Sequence, residues 1–318
     1  MKICVVGCGR WGSLITWYLD SLGHSLTLYG RESSEKMQRF MRERRNDLLE
    51  LDQRIKLSSS YECFCDADVI IISIASQALR DFMRELEPLG LKNKIFVLCM
   101  KGIEIESGKR LSQIAAENTD PTNKVAVWLG PGHVQEFYHG IPNCMVIDSN
   151  DEATKHRLVD EFSGELIRFY YGTDLIGNEI GAAAKNVIGI AAGLLDGLGL
   201  STLKGALMSR GTREIARLIK AMGGNELSAY GLCHLGDYEA TVFSKYSHNR
   251  AFGEALVRGE KFESLAEGYY TAKAMMGLAE KYGVELPICT TVYKVLYEGE
   301  NFNEALGELF SRSIKKEF

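Results

Sequence analysis

Lys2-Ile3-Cys4-Val5-Val6-Gly7-Cys8-Gly9-Arg10-Trp11-Gly12 opens on a short apolar run, meets three glycines spaced GxGxxG, and passes into a helical pattern. The glycine string alone is a weak signal. Placed between a strand and a helix, it has the context that a dinucleotide-binding turn requires. Gly7 permits the tight turn, Gly9 lets the backbone approach a pyrophosphate, and Gly12 lets the helix pack close to the strand. The helix N-terminus adds N–H donors and a positive dipole. A merely flexible glycine turn is the competing reading. Arg10 and Trp11, inside the string, are counted with it as cofactor contacts.

Outward from that turn the chain alternates short apolar runs with helical patterns. Lys2–Val6, Ser25–Tyr29, 69–74, 95–99, 125–129 and 145–147 read as strands. Helices are expected at 11–22, 35–51 and 77–86. Continuous β-branched runs in strand-helix order predict a doubly wound, Rossmann-type parallel α/β sheet covered on both faces. After about Tyr171 the chain turns rich in Ala, Gly, Leu and Met at helical spacing, with helices expected at 176–195, 203–222, 251–257, 271–282 and 288–297. The organisation expected is a dinucleotide-binding domain over 1–174 and a mostly α-helical domain over 175–318.

The chain has 318 residues, 46% of them hydrophobic and 25% charged, with 32 Gly and 5 Pro. That length suggests roughly two domains, and the composition excludes a disordered or collagen-like chain. Lys plus Arg number 37 against 42 Asp plus Glu, a formal net charge of −5. Without a basic tract, nucleic acid and anionic membrane surfaces are excluded as partners. The first apolar run is too short for a leader. No stretch reads as the ~20 apolar residues of a membrane span. The eight cysteines contain no CxxC pair, and no metal spacing such as HExxH occurs. Free thiols, no metal and a cytoplasmic location are therefore expected. Arg42-Glu43-Arg44-Arg45 reads as a solvated helix face.

Three cations stand out. About twenty residues past the glycine turn, where an NAD fold places an acid on the ribose, the chain reads Tyr29-Gly30-Arg31-Glu32. The Arg31 guanidinium suits a 2′-phosphate, which favours NADP over NAD, while Glu32 remains able to reach a ribose hydroxyl. Lys101 follows the run 95–100 at the carboxyl end of a strand, the edge that holds ligands in open α/β sheets. Lys185 lies in Gly181-Ala182-Ala183-Ala184-Lys185-Asn186-Val187-Ile188, an almost wholly apolar helix. A lone ammonium there either snorkels to water or has a partner and a function, because burying it unpaired is costly.

The turn at 7–12, Met100-Lys101-Gly102, Gly130-Pro131 with Glu136, and Lys185-Asn186-Val187-Ile188 follow one another in an order that continues downstream. There it runs through Asp196-Gly197, Ser209-Arg210-Gly211, Leu235-Gly236-Asp237, Ser247-His248-Asn249-Arg250 and Glu267-Gly268-Tyr269. Together they span nearly the whole chain and resemble the bacterial NAD(P)-dependent sn-glycerol-3-phosphate dehydrogenase family. The resemblance implies interconversion of sn-glycerol 3-phosphate and dihydroxyacetone phosphate, supply of glycerol 3-phosphate for glycerophospholipid synthesis, and a cytoplasmic homodimer. It makes Lys185 the proton acceptor, with Lys101 and Asp237 beside it in the catalytic group. It implies substrate contacts from Lys101, Gly130, Gly132, Lys185, Asp237, Thr241, Ser247, His248 and Asn249. Cofactor contacts are implied for Lys101, Val134, His248 and Glu267.

The chain also departs from the family. Gly132 replaces the Ser or Thr usual after Gly-Pro, and His248 stands where Arg precedes Asn. The segment before Arg210 is a residue shorter, with Thr202 and Lys204 near the expected Asn-x-Arg. Two other readings remain: a dehydrogenase of the β-hydroxyacid type, and a non-catalytic NADP-binding sensor. The Arg31 reading predicts a lower Michaelis constant for NADPH than for NADH in steady-state turnover. Equal constants would remove its role.

Overall fold

The computed structural model describes residues 1–311 and 313; position 312 and positions 314–318, the end of the 175–318 segment, lie outside the described residues. Residues 1–101 and 109–179 form one compact unit, and residues 102–108 join the chain from Ile180 onward in a second.

The first unit is built on eight strands: β1 (Lys2–Val6), β2 (Ser25–Tyr29), β3 (Lys56–Ser58), β4 (Val69–Ile72), β5 (Ile95–Leu98), β6 (Lys124–Leu129), β7 (Asn143–Ser149) and β8 (Ile167–Tyr171). Their order is β3-β2-β1-β4-β5-β6-β7-β8. β1 pairs in parallel with both β2 and β4, so the strand order reverses at β1. The glycine turn therefore leaves the sheet at its topological switch point, where open α/β sheets bind ligands. β7 runs antiparallel to β6, and β8 parallels β7. That reversal is not carried by the pattern of apolar runs. All four residues of β4 and of β5 are buried, as expected for strands covered on both faces. Trp128 on β6 packs edge-on against Phe169 of β8, ring centroids 4.8 Å apart, and lies 5.7 Å from Phe162.

The helix expected over 35–51 is shorter, Glu35–Glu43. Arg44 takes the left-handed conformation (φ 59°) and ends it. Its guanidinium donates to the carbonyl oxygens of Asp52 and Ile55, so this arginine holds a turn instead of facing water. β3 and β8 have no counterpart among the expected strands. β3 is short and polar, and in β8 only Ile167 and Phe169 are buried.

The second unit is organised by the helix Leu175–Gly197, whose residues from Ile180 onward belong to it. It is long and apolar enough by composition to cross a membrane, contrary to the expectation from the apolar runs, but 89% of its most apolar window is buried inside the protein. A helix apolar all round is a core helix when protein surrounds it. Gly181, Lys185, Gly189, Gly193 and Gly197 recur every fourth residue and share one face. A Cβ at these glycines would meet the 234–257 segment: 3.0 Å from His234 Cβ at 181, 2.7 Å from Thr241 Cγ2 at 189, and 2.7 Å from Val257 Cβ at 197. At 193 it would lie 1.9 Å from the Arg250 carbonyl oxygen. The segment thus lies directly on the glycine row, and Lys185 stands in the row.

His234, fully buried, fixes one end of this contact. Its Nδ1 bonds the Gly181 carbonyl oxygen at 2.8 Å, and its Nε2 lies 2.8 Å from the Tyr238 hydroxyl. A carbonyl only accepts, so Nδ1 carries the hydrogen and Nε2 accepts from Tyr238. Burial presses the imidazole down to about 4, opposed by the Gly181 hydrogen bond and reinforced by the charge of Lys185.

Two stability measurements check this packing. Gly193→Ala should lose about 3 kcal/mol in urea denaturation, the upper end for an overpacked site; an unchanged midpoint would disprove the close approach. Because His234 binds its proton more weakly folded than unfolded, its contribution is whole above pH 6.5 and is lost as pH falls toward about 4. Between pH 7 and 4 the native chain should lose roughly 3 kcal/mol more than His234→Gln. Parallel pH profiles would contradict a neutral His234.

Candidate active site

In the first unit, the three glycines of the turn hold three distinct positions. Gly7 has φ 108°, and a Cβ there would sit 2.2 Å from the Ser73 carbonyl oxygen after β4. A Cβ at Gly12 would sit 2.0 Å from the Gly7 carbonyl oxygen. At Gly9 a Cβ would meet nothing within 4 Å. Gly9 is the N-cap of the helix Arg10–Ser21 and brings no capping side chain. Open space at Gly9, before an N-terminus that no cap side chain covers, fits the pyrophosphate of NAD or NADP. Arg10 is exposed and Trp11 half-buried at the start of that helix.

Arg31, just past β2, is exposed and forms an ion pair with Glu85, Nη2 to Oε1 3.1 Å. Gly30 before it cannot carry a side chain, since a Cβ would lie 2.5 Å from Cys8 Sγ. Lys101, after β5, donates from Nζ to the Gly130 carbonyl oxygen at 2.6 Å. Gly130 and Gly132 flank Pro131 with φ 130° and 143°. A Cβ at Gly132 would enter the Phe137 ring, 2.2 Å from Cε2. Phe137 in turn packs on Trp11, ring centroids 6.0 Å apart. Gly132 is therefore a backbone requirement of this loop, and it makes room for an aromatic that supports the glycine turn. Val134 is buried and begins the short helix Val134–Tyr138.

In the second unit, Lys185 is 7% exposed, Asp237 and Thr241 1% each. Lys185 Nζ lies 2.9 Å from Asp237 Oδ2 and donates to Thr241 Oγ1 at 2.7 Å. Thr241 Oγ1 donates to the Asp237 carbonyl oxygen at 2.7 Å. The lysine does not snorkel: it is drawn inward by an ion pair and a hydroxyl, both delivered by the segment against the glycine row. Asn249 extends the cluster, donating from Nδ2 to Asn186 Oδ1 at 3.0 Å and accepting the Gly268 N–H at 2.9 Å. In the sequence Asn186 is marked only as part of the Lys185-Asn186-Val187-Ile188 stretch, and its role in holding Asn249 is a finding of the structure. Gly268 follows Glu267, the first residue of the helix Glu267–Tyr282. Ser247 caps the helix His248–Arg258, its Oγ accepting the Arg250 N–H at 3.3 Å. His248 is half-buried, with Nδ1 3.3 Å from the Leu265 carbonyl oxygen.

Arg250 does not take the place of the arginine missing at 248. Its guanidinium bonds Asp196 at 2.7 Å, Glu254 at 3.1 Å and the Ser244 carbonyl oxygen at 3.1 Å. Lys204 and Ser201 bond the same Asp196. Burial alone would raise the Asp196 carboxyl, but these three partners hold it below its ordinary range. Among the described residues no group of three or more His, Cys, Asp or Glu side chains could hold a metal ion.

The chain matches two family models, described as the NAD-dependent glycerol-3-phosphate dehydrogenase N-terminus over residues 2–155 and C-terminus over residues 174–307. Among similar proteins, the glycerol-3-phosphate dehydrogenase [NAD(P)+] of Prosthecochloris aestuarii is 36% identical over the full length of both chains. That of Fusobacterium nucleatum is 35% identical over all of this chain and 98% of its own. The crystal structure of the Coxiella burnetii glycerol-3-phosphate dehydrogenase superposes with a TM-score of 0.92 at 27% identity, covering 98% of this chain and 99% of that one. Full-length relatives and both domain matches agree, and this chain belongs to the NAD-dependent glycerol-3-phosphate dehydrogenase family.

Proposed function

We propose that this chain interconverts sn-glycerol 3-phosphate and dihydroxyacetone phosphate with NAD or NADP. Residues 1–174 would form its dinucleotide-binding domain and 175–318 its substrate-binding and catalytic domain. The observation that carries the reading is the buried trio of Lys185, Asp237 and Thr241, with Nζ held at 2.9 and 2.7 Å. When bound, the nicotinamide supplies or accepts the hydride.

Reduction of the ketone leaves an oxygen that must gain a proton, and oxidation of the alcohol must remove one. Lys185 Nζ is the group for both directions: it gives the proton to the developing alkoxide and takes it from the hydroxyl. Asp237 Oδ2 balances the ammonium, and Thr241 fixes its direction, since its own hydrogen goes to the Asp237 carbonyl oxygen. Lys101, steadied on the Gly130 carbonyl oxygen, contributes a second cation in the catalytic group. Ser247, His248 and Asn249 begin one helix and offer hydroxyl, imidazole and amide to the substrate phosphate. The turn at Gly7, Gly9, Arg10, Trp11 and Gly12 holds the cofactor, with Arg31 on its ribose end and Val134, His248 and Glu267 as further contacts. Lys101 and Lys185 are both present, and a sensor has no need for the base, which favours the enzyme. The homodimer, the cytoplasmic location and the supply of phospholipid precursor rest on the family.

Purified protein should consume NADPH or NADH with dihydroxyacetone phosphate, followed by absorbance loss. Lys185→Ala should lower kcat by about 10²–10⁴-fold while circular dichroism and cofactor binding persist. Turnover by the variant at the native rate would remove Lys185 from the chemistry. A native protein inert toward several phosphorylated ketones would leave the sensor reading.

A further inference from the structure

In an NAD-binding fold a carboxylate near the end of β2 reads the ribose hydroxyls. Here that position offers Gly30, Arg31 and the exposed Glu32, and a second carboxylate stands directly against the Arg31 guanidinium. Glu85, on the helix Leu79–Leu86, accepts from Arg31 Nη2 with both oxygens, at 3.1 and 3.3 Å. Its Oε2 also accepts the Tyr61 hydroxyl at 2.6 Å. Tyr61 stacks on Tyr29, the last residue of β2, ring centroids 5.5 Å apart. A strand end, a turn and a helix thus converge on one carboxylate beside the guanidinium assigned to the ribose end of the cofactor.

We propose that Glu85 is a specificity-determining residue for the cofactor, accepting the ribose 2′-hydroxyl of NAD and opposing the 2′-phosphate of NADP. The inference rests on the reading of Arg31 as the contact at that ribose position. A hydroxyl donates, so it adds to the Arg31–Glu85 pair without breaking it. A phosphate only accepts. It must draw the guanidinium away from Glu85 and then lie beside a like charge, although its charge-assisted bonds to Arg31 are strong. Glu85 and Arg31 are 37% and 58% exposed, so the pair is weak enough for a phosphate to open. Glu85 therefore grades the preference instead of forbidding one cofactor, and it narrows the lead that Arg31 alone would give NADP.

Isothermal titration with 2′,5′-ADP and 5′-ADP reads the two headgroups without turnover. Glu85→Ala should tighten 2′,5′-ADP and weaken 5′-ADP, moving the ratio of their dissociation constants about tenfold toward the 2′-phosphate. Arg31→Ala should move the ratio the other way by a similar factor. A ratio unchanged or reversed in Glu85→Ala, with Arg31→Ala behaving as expected, overturns the role of Glu85 alone. A ratio unmoved by Arg31→Ala overturns the reading of Arg31 on which it rests.

Discussion

The second unit depends on one close approach, that of the helix Leu175–Gly197 to the segment 234–257. Three of the glycines in its row leave no room for a Cβ, at 189, 193 and 197. Withdrawing the segment by even a methyl radius would take Asp237 and Thr241 away from Lys185. An ammonium 7% exposed and stripped of its carboxylate is destabilising by several kcal/mol. The same spacing therefore both packs the unit and makes a buried lysine tolerable. His234 belongs to this constraint. With its imidazole held down to about 4, it stays neutral near physiological pH, so no second positive charge develops next to Lys185.

Asp196 anchors the other end of the approach. It gathers Ser201, Lys204 and Arg250, tying the end of the long helix to the start of the helix His248–Arg258. Two cations, Lys204 and Arg250, are thereby committed to architecture. A net charge of −5 describes the chain as a whole and says little about a small anion's site. What matters there is what each cation is committed to, and Lys204 and Arg250 are committed to Asp196.

Residues whose roles are local were legible from the chain. The glycine turn is read from neighbours in sequence, and Lys185 from its contrast with the apolar helix around it. What failed depends on distant partners. The expected helix over 35–51 overran because Arg44 ends it with a left-handed cap and bonds carbonyl oxygens up to eleven residues on. β3 and β8 escaped because edge strands need no continuous apolar run. Glu85 is 54 residues from Arg31, and nothing in its own segment marks it. The long helix passes a membrane test by composition, and only the surrounding protein explains its apolarity.

Gly132 shows how a departure from a family pattern can be misread as a lost side chain. With φ 143° and the Phe137 ring in the place of a Cβ, this position would strain any hydroxyl residue, so restoring serine would not restore a hydroxyl contact in this loop. The Phe137 ring fills the space that a side chain at 132 would need and packs on Trp11 of the glycine turn, and burying it contributes roughly 1.5–3 kcal/mol of apolar packing. Glycines of positive φ on both sides of Pro131 thus leave the backbone of this loop without side chains of their own at 130 and 132.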